Sequence, residues 1–384
     1  MTSILNMTQN ERLESALASA NFSFKKRPDR SVAVFTSISR KYLPKARILA
    51  KTLKSFHPEW DFHILLNDAW DGSTLADVDQ ITPINELRID FFASWLFCYD
   101  AYELSTATRP LYVKALLNAG YTHVIFFDPD IAIYHSLDEL IDRLGNSDVL
   151  LTPHTTRQAL RENEISLTEM SMLAHGTFNL GFIAFRNTVT AHAVADFWAY
   201  RLARYATRDY AKGLFTDQKW VNLVPVFFDN VEVLKHEGCN VASWNISQRA
   251  IVQKDGLIYA GKDPLLFFHF SGYDAGVPET MFRQFGSYSE ELAQILHDYK
   301  VENHTMESIT PEAREKWAFE EFDNGHYIPY GLRIYYRETL DVRFTFRDPF
   351  SVSSGMCFWN HVRQIGIEAL CKRYDPPGML NRHY

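Results

Sequence analysis

Short, wholly apolar runs alternate along the first half of the chain with longer stretches whose apolar residues recur every three or four positions. Val32-Ala33-Val34-Phe35, Phe62-His63-Ile64-Leu65-Leu66 and Val124-Ile125-Phe126-Phe127 belong to the first kind. Such runs, closed by polar turns, predict strands buried on both faces. Leu43, Ala46, Leu49, Leu53 and Phe56 carry helical spacing over residues 42–56, and Pro44 is tolerable in a first turn. Residues 92–118 are mostly helical in pattern and stop at Gly120. A short helix is predicted at 137–144 and a strand at 149–151. Beyond residue 175 come a strand at 182–185, a helix at 190–205 and several short strands, the last at Leu265 to Phe270. From Gly276 the pattern is helical and aromatic, with helices at 288–300 and 311–322 and a turn at Asn324-Gly325.

Strand alternating with helix predicts an α/β fold: a Rossmann-like, mostly parallel central sheet with helices on both faces, plus a mainly helical C-terminal region. The expected parts are an N-terminal helical arm over 1–30, an α/β body over 31–275 and an accessory region over 276–384. Residues 11–27 form the arm's amphipathic helix, ending in Lys25-Lys26-Arg27 before Pro28. It reads as a simple arm; contact with an anionic membrane is the alternative.

Composition narrows the function classes. The 384 residues are 46% apolar, with 28 Phe and 19 Tyr, enough for a sizeable core. A formal net charge of −8 argues against a nucleic-acid partner. No apolar run is long enough to span a bilayer, and residues 1–20 lack a signal-peptide layout. Cys98, Cys239, Cys357 and Cys371 form no close pair, so reduced thiols and a cytoplasmic location are expected, with peripheral contact at the inner face of the membrane as the variant.

Parallel sheets collect ligands at the C-terminal ends of their strands, near a switch in strand order. Thr36, Asp68 and Asp128 stand at such ends. Asp128-Pro129-Asp130 lies between two apolar runs, and residues two apart on a strand face the same side, so both carboxylates can address one ion. Hard oxygen ligands with open positions suit Mg²⁺ or Mn²⁺ carrying a diphosphate. The second such tripeptide, Asp77-Val78-Asp79, sits in a polar stretch and reads as a solvated loop. No G-x-G-x-x-G, P-loop or G-x-S-x-G is present, which disfavours the dinucleotide oxidoreductases, P-loop NTPases and α/β-hydrolases.

Three polar clusters follow. His175 to Gly181 is either a glycine-containing turn or a backbone that a sugar can approach. Thr216-Asp217-Gln218 opens a helix, where an N-cap competes with contact to a bound sugar. His269 ends a very apolar strand; a hydrogen-bonded core histidine competes there with a third metal ligand, whose imidazole would favour Mn²⁺. His154 and Trp244-Asn245 are pocket-wall candidates against plain packing.

The order strand-Thr-Ser, Asp-x-Asp, Phe-Asn-x-Gly, Asp-Gln, His-Phe-x-Gly resembles nucleotide-sugar glycosyltransferases of the GT-A fold, and the retaining family-8 group in particular, over roughly residues 31–275. The resemblance implies that Thr36 and Ser37 line a nucleotide pocket, Asp68 contacts base or ribose, and Asp128, Asp130 and His269 hold Mn²⁺ (or Mg²⁺). It implies that Asn179, Asp217 and Gln218 surround the sugar of a UDP-sugar donor, with Lys114 reaching its phosphates or sugar. Arg109 is the rival for that place, and for either residue a solvated charge is the alternative, somewhat more so for Arg109. The family's Lys-Pro-Trp after the His-x-x-Gly is replaced by Tyr273-Asp274-Ala275-Gly276, with Arg283 as a substitute cation. The implied activity is hexose transfer to a saccharide or lipid-linked acceptor in bacterial surface polysaccharide synthesis. Retention would come from front-face attack or a covalent intermediate on Asp217; inversion would use Asp217 as base. The alternatives are a sugar-nucleotide nucleotidyltransferase, whose loop at 36–41 would lack glycine, and a non-catalytic carbohydrate-binding protein.

Overall fold

The computed structural model describes residue 22, residues 26–89 and residues 91–375; most of the expected N-terminal arm lies outside them. Ten strands matter here: β1 (Val32–Ile38), β2 (Asp61–Leu66), β3 (Gln80–Pro83), β4 (His123–Phe127), β5 (Ile131–Ile133), β6 (Val149–Pro153), β7 (Phe178–Arg186), β8 (Val231–Val233), β9 (Val241–Ala242) and β10 (Phe267–His269). The central sheet has the order β8-β6-β7-β4-β1-β2-β3. Every pairing in it is parallel except those of β7, which runs against both β4 and β6. Helices flank this mostly parallel sheet on both sides, as the alternation of patterns predicts.

The two faces follow from the strands' period of two. Ala33, Phe35, Val124, Phe126, Ile183 and Phe185 face one core, with α2 (Phe92–Phe97), α3 (Ala101–Ala107), α4 (Arg109–Asn118) and α5 (Val189–Tyr205). Val34, Phe62, Ile64, Ile125 and Phe127 face the other core, with α1 (Leu43–Phe56). Phe126 and Phe127 are both fully buried, so truncating either to alanine would cost about 3–5 kcal/mol. The helical stretch at 92–118 is three helices rather than one. Asp100 breaks it by capping α3, its carboxylate accepting from Glu103 N, and Pro110 sits at the start of α4.

A smaller sheet, β9-β10-β5, meets the end of β4. His269 in β10 pairs antiparallel with Ile131 in β5, and Ala242 in β9 pairs with His269. Asp128-Pro129-Asp130 is therefore a turn between two sheets and not part of one strand. Each end of the turn is pinned to a different sheet: Asp128 N donates to Gly181 O at 2.9 Å, and Phe270 N donates to Asp130 O at 2.8 Å. The carboxylates converge because the chain bends there, which corrects the alternation argument.

Past the α/β layers, α6 (Val277–Phe285) leads to α7 (Glu290–Ser308), whose Leu292, Ile295, Leu296 and Tyr299 share a core with Ile48 of α1. Then α8 (Tyr330–Glu338), α9 (Phe358–Ile365) and α10 (Ile367–Tyr374) join the core of Trp95 and Phe97. The helix expected at 311–322 is a single 3-10 turn, Pro311–Arg314, followed by irregular chain. Its backbone and side chains are claimed by distant partners. Trp317 Nε1 donates to Asn67 O at 2.8 Å, Ala318 N to Asp68 Oδ1 at 3.0 Å, and Arg333 Nη2 to Phe319 O at 2.5 Å. Among the described residues no helix is long and apolar enough to cross a membrane.

Candidate functional site

Asp128, Asp130 and His269 meet where β4 leaves the central sheet. One ligand atom from each lies within 4.8 Å of the other two. Oxygen ligands sit about 2.1 Å from a Mg²⁺-sized ion, so opposed ligands are roughly 4.2 Å apart; a sub-ångström contraction suffices. The place is the reversal of strand order between β1 and β4, because β2 lies on one side of β1 and β4 on the other. His269 Nε2 is 3.2 Å from Asp130 and 3.9 Å from Asp128. Two carboxylate oxygens and an imidazole nitrogen form a donor set that suits Mn²⁺ or Mg²⁺, the nitrogen favouring Mn²⁺.

Arg109, for which a solvated charge is an open reading in the sequence, is instead buried beside this cluster. Its guanidinium donates to Asp128 Oδ1 at 2.8 Å and Asp217 Oδ2 at 3.0 Å, and lies 4.3 Å from the Phe126 ring centre. The start of its helix is held by a buried network: Thr108 Oγ1 donates to Asn67 Oδ1 at 2.8 Å, and Asn67 Nδ2 donates to Ser37 Oγ at 2.8 Å. Ser37 and Asp128 each stand two residues past the last β1–β4 pair, Phe35 with Phe126.

Three carboxylates thus share one guanidinium and one imidazole. Burial pushes the Asp128 carboxyl up, to about 6, against the pull of Arg109 and His269. Burial also works to raise Asp130, but the attraction and hydrogen bond of His269, with Lys45 behind it, hold it below the usual carboxylate range. Asp217 is raised by burial in spite of Arg109. Burial would lower His269, yet Asp130 and Asp128 keep it above the ordinary imidazole range. The cluster carries an excess of negative charge, which a divalent cation would balance.

Asp217 is only 2% exposed. Its Oδ2 accepts from Arg109, and its Oδ1 accepts from Thr216 Oγ1 at 3.2 Å. Thr216 has φ of 45°, a left-handed backbone rare for a β-branched residue. Gln218 Oε1 accepts from Leu180 N and its Nε2 donates to His175 O, both at 3.1 Å, so this side chain braces the start of β7. Asn179 Oδ1 accepts from Gly181 N at 3.0 Å and from Asn240 Nδ2 at 2.9 Å. A Cβ on Gly181 would sit 2.5 Å from His269 Nδ1 and 2.7 Å from Asn179 Oδ1, so the ring approaches only because this residue is glycine.

The other expected residues fall elsewhere. Lys114, five residues beyond Arg109, pairs with Asp196 of α5 at 2.5 Å. Asp68 is 1% exposed; its oxygens accept from the backbone of Arg40, Ala69 and Ala318. Thr36 is fully buried, and its hydroxyl has no hydrogen-bond partner. Arg283 is exposed on α6. The cation beside Asp130 is Lys45 of α1, 8% exposed and 2.5 Å from Asp274. His154 donates no charge: burial pushes its imidazole down to about 4. Trp244 donates Nε1 to His154 O at 3.1 Å and sets its ring edge-on to His269 at 5.2 Å. Sequence reasoning missed Lys45, the burial of Arg109 and Asn240, whose Oδ1 lies 3.1 Å from His269 Nδ1. An asparagine just before a short strand was the one available signal for the last.

No protein-family model matches the chain. Two proteins of Bacillus subtilis (strain 168) are similar in sequence. The uncharacterized protein YfnF is 24% identical over 249 residues, 63% of this chain and 81% of YfnF. The uncharacterized protein YfnD is 37% identical over 100 residues, 26% of this chain and 32% of YfnD. Solved structures similar in fold include the galactosyltransferase LgtC in complex with donor and acceptor sugar analogs, with a TM-score of 0.41 and 17% identity over 68% of this chain and 99% of LgtC. The bifunctional glycosyltransferase WbbM in its apo form also gives a TM-score of 0.41 and 17% identity, over 69% of this chain and 54% of WbbM.

Proposed function

We propose that the chain is a metal-dependent glycosyltransferase of GT-A type, resembling the retaining family-8 group. It would move a hexose from a UDP-sugar to a saccharide or lipid-linked acceptor, in bacterial surface polysaccharide synthesis at the inner face of the membrane. The observation that carries the reading is the meeting of Asp128, Asp130 and His269 at the reversal of strand order in a mostly parallel sheet. A divalent ion held by these three residues would neutralise charge on a departing nucleoside diphosphate.

The chain's own groups support the same chemistry. Arg109, paired with Asp128 and Asp217, and Lys45, paired with Asp274 and acting on Asp130, are cations close to the carboxylate pair that a diphosphate would draw on. Ser37 and Asn179 are buried near the strand ends, Ser37 accepting from Asn67 and Asn179 from Gly181 N, and would line the donor pocket. Gln218 braces the start of β7 through Leu180 N. Thr36, in β1, has a buried hydroxyl with spare hydrogen-bonding capacity and would line the nucleotide pocket. Asp217 faces Arg109 and Thr216 with both oxygens. A carboxylate so engaged is a poor nucleophile, which favours front-face attack with retention over a covalent intermediate. Asp68 and Lys114 would serve the donor's base or ribose and its phosphates or sugar respectively; in the structure Asp68 accepts from Ala318 N and Lys114 pairs with Asp196.

Hydrolysis of UDP-hexoses with and without Mn²⁺ tests the reading. Metal-dependent release of UDP, abolished in Asp128→Ala, is the expected result. Release that is unchanged in that variant would refute the metal assignment, and a product of inverted anomeric configuration by NMR would refute retention alone.

A further inference from the structure

Of the three candidate ligands His269 is the least constrained by its own chemistry, because an imidazole offers two different nitrogens and which one carries hydrogen depends on its neighbours. Around it a single unambiguous donor settles every other assignment. The backbone N–H of Gly181 donates to the Asn179 side chain at 3.0 Å, so the atom it meets is Oδ1. That oxygen also lies 2.9 Å from the Asn240 side chain, which must therefore turn its Nδ2 toward it. The second hydrogen on the same Nδ2 goes to Thr152 Oγ1 at 2.9 Å. Asn240 is left with Oδ1 facing His269 Nδ1 at 3.1 Å, and an amide oxygen there requires a hydrogen on Nδ1. Nε2 is the nitrogen turned to Asp130 and Asp128. The other end of the relay agrees, since Asn179 Nδ2 donates to His154 Nε2 at 3.3 Å and His154 Nδ1 donates to Thr177 O at 3.2 Å.

Asn240 is itself held rigidly. It is 1% exposed, has φ of 53°, and accepts at its carbonyl from Asn245 Nδ2 at 3.0 Å. Asparagine tolerates this left-handed backbone better than most residues.

We propose that Asn240 is the positioning residue of the metal site: it fixes the His269 ring with hydrogen on Nδ1 and so presents Nε2 to the ion. This rests on the metal reading above and deepens it. Partners of this kind that orient a ligating histidine typically change metal affinity 10–100-fold when removed.

Two substitutions separate the role from general support of the fold. Asn240→Gly deletes the amide at a φ that glycine adopts freely. Asn240→Asp keeps an oxygen to accept from Nδ1. The readouts are Mn²⁺ affinity by calorimetry and the coupling of an imidazole nitrogen to Mn²⁺ in pulsed EPR, on the whole chain. Asn240→Gly is expected to weaken Mn²⁺ binding about 10–100-fold and to lose the nitrogen coupling, while Asn240→Asp keeps it. On a His269→Ala background, Asn240→Gly should add nothing, because its effect passes through that ring. Wild-type affinity and coupling in Asn240→Gly, an additive loss in the double variant, or loss of the coupling in a folded Asn240→Asp would each overturn the inference. Failure of the unsubstituted protein to bind Mn²⁺ would instead overturn the metal reading beneath it.

Discussion

At Asp77-Val78-Asp79 each carboxylate has one cation to itself, Arg47 for Asp77 and Lys54 for Asp79, whereas at Asp128-Pro129-Asp130 the carboxylates crowd together and share theirs. Asp77 pairs with Arg47 at 3.1 Å. Asp79 pairs with Lys54 at 2.6 Å and Arg27 at 2.7 Å, and also accepts from Phe62 N at 2.7 Å. The first copy lies in a loop, largely exposed as expected, and its carboxylates are neutralised where they anchor β2 and the chain before β3. At the second copy Arg109 is divided between Asp128 and Asp217, and His269 faces both Asp130 and Asp128. One tripeptide fastens structure because its charge is satisfied locally. The other is fitted to hold a ligand because its charge is not.

The sharpest way to break this contrast is to remove a carboxylate from each copy. Asp128→Ala should reduce Mn²⁺ affinity by more than about 100-fold and abolish UDP release, as followed by calorimetry and nucleotide assay. Gly181→Ala comes next. Its new Cβ would press on His269 Nδ1 and Asn179 Oδ1, and about a 10-fold loss of metal affinity is expected while circular dichroism stays unchanged.

The anchor responds in stability instead. Asp79→Ala leaves the Phe62 N–H without its acceptor and should cost about 1–3 kcal/mol in urea unfolding, with metal affinity unaltered. Its acid limb has a definite sign. Burial tends to raise Asp79, but Lys54, the Phe62 N–H and Arg27 outweigh it and hold the carboxyl below the usual range. Its stabilisation is therefore present above that range and lost as pH falls through the depressed value; Asp79→Asn should flatten this part of the stability–pH curve. Asp77→Ala is the mildest, within about 1 kcal/mol of wild type as for a partly exposed pair. A large loss of Mn²⁺ binding in either Asp77 or Asp79 variants would dissolve the distinction between the copies.

Five strands of the central sheet, β1, β2, β4, β6 and β7, were readable because each is buried almost throughout and so contains a continuous apolar run, as at Val124 to Phe127. The edge strands β3 and β8 are only partly buried and carry no such run. Context likewise separated the two tripeptides, and the strand exit pointed to His269. Arg109 was hidden because its burial depends on Asp217, 108 positions away, and on a helix start held by Ser37 and Asn67. Asn240 meets His269 directly but is oriented by the Asn179 side chain and the Gly181 backbone, an arrangement that no local pattern records. The helix expected at 311–322 failed for a related reason: apolar spacing said nothing of Asn67, Asp68 and Arg333, which engage that segment from elsewhere. Pattern reports burial well, but it does not report which polar group answers another across the fold.

The most direct measurement is a calorimetric titration of Mn²⁺ into the protein with UDP present, repeated for Asp128→Ala, Asp130→Ala and His269→Ala. One ion per chain in the unsubstituted protein, with binding lost or weakened at least tenfold in all three variants, is the predicted result. Absence of binding, or binding that all three substitutions leave intact, would contradict the assignment of Asp128, Asp130 and His269 as a metal site.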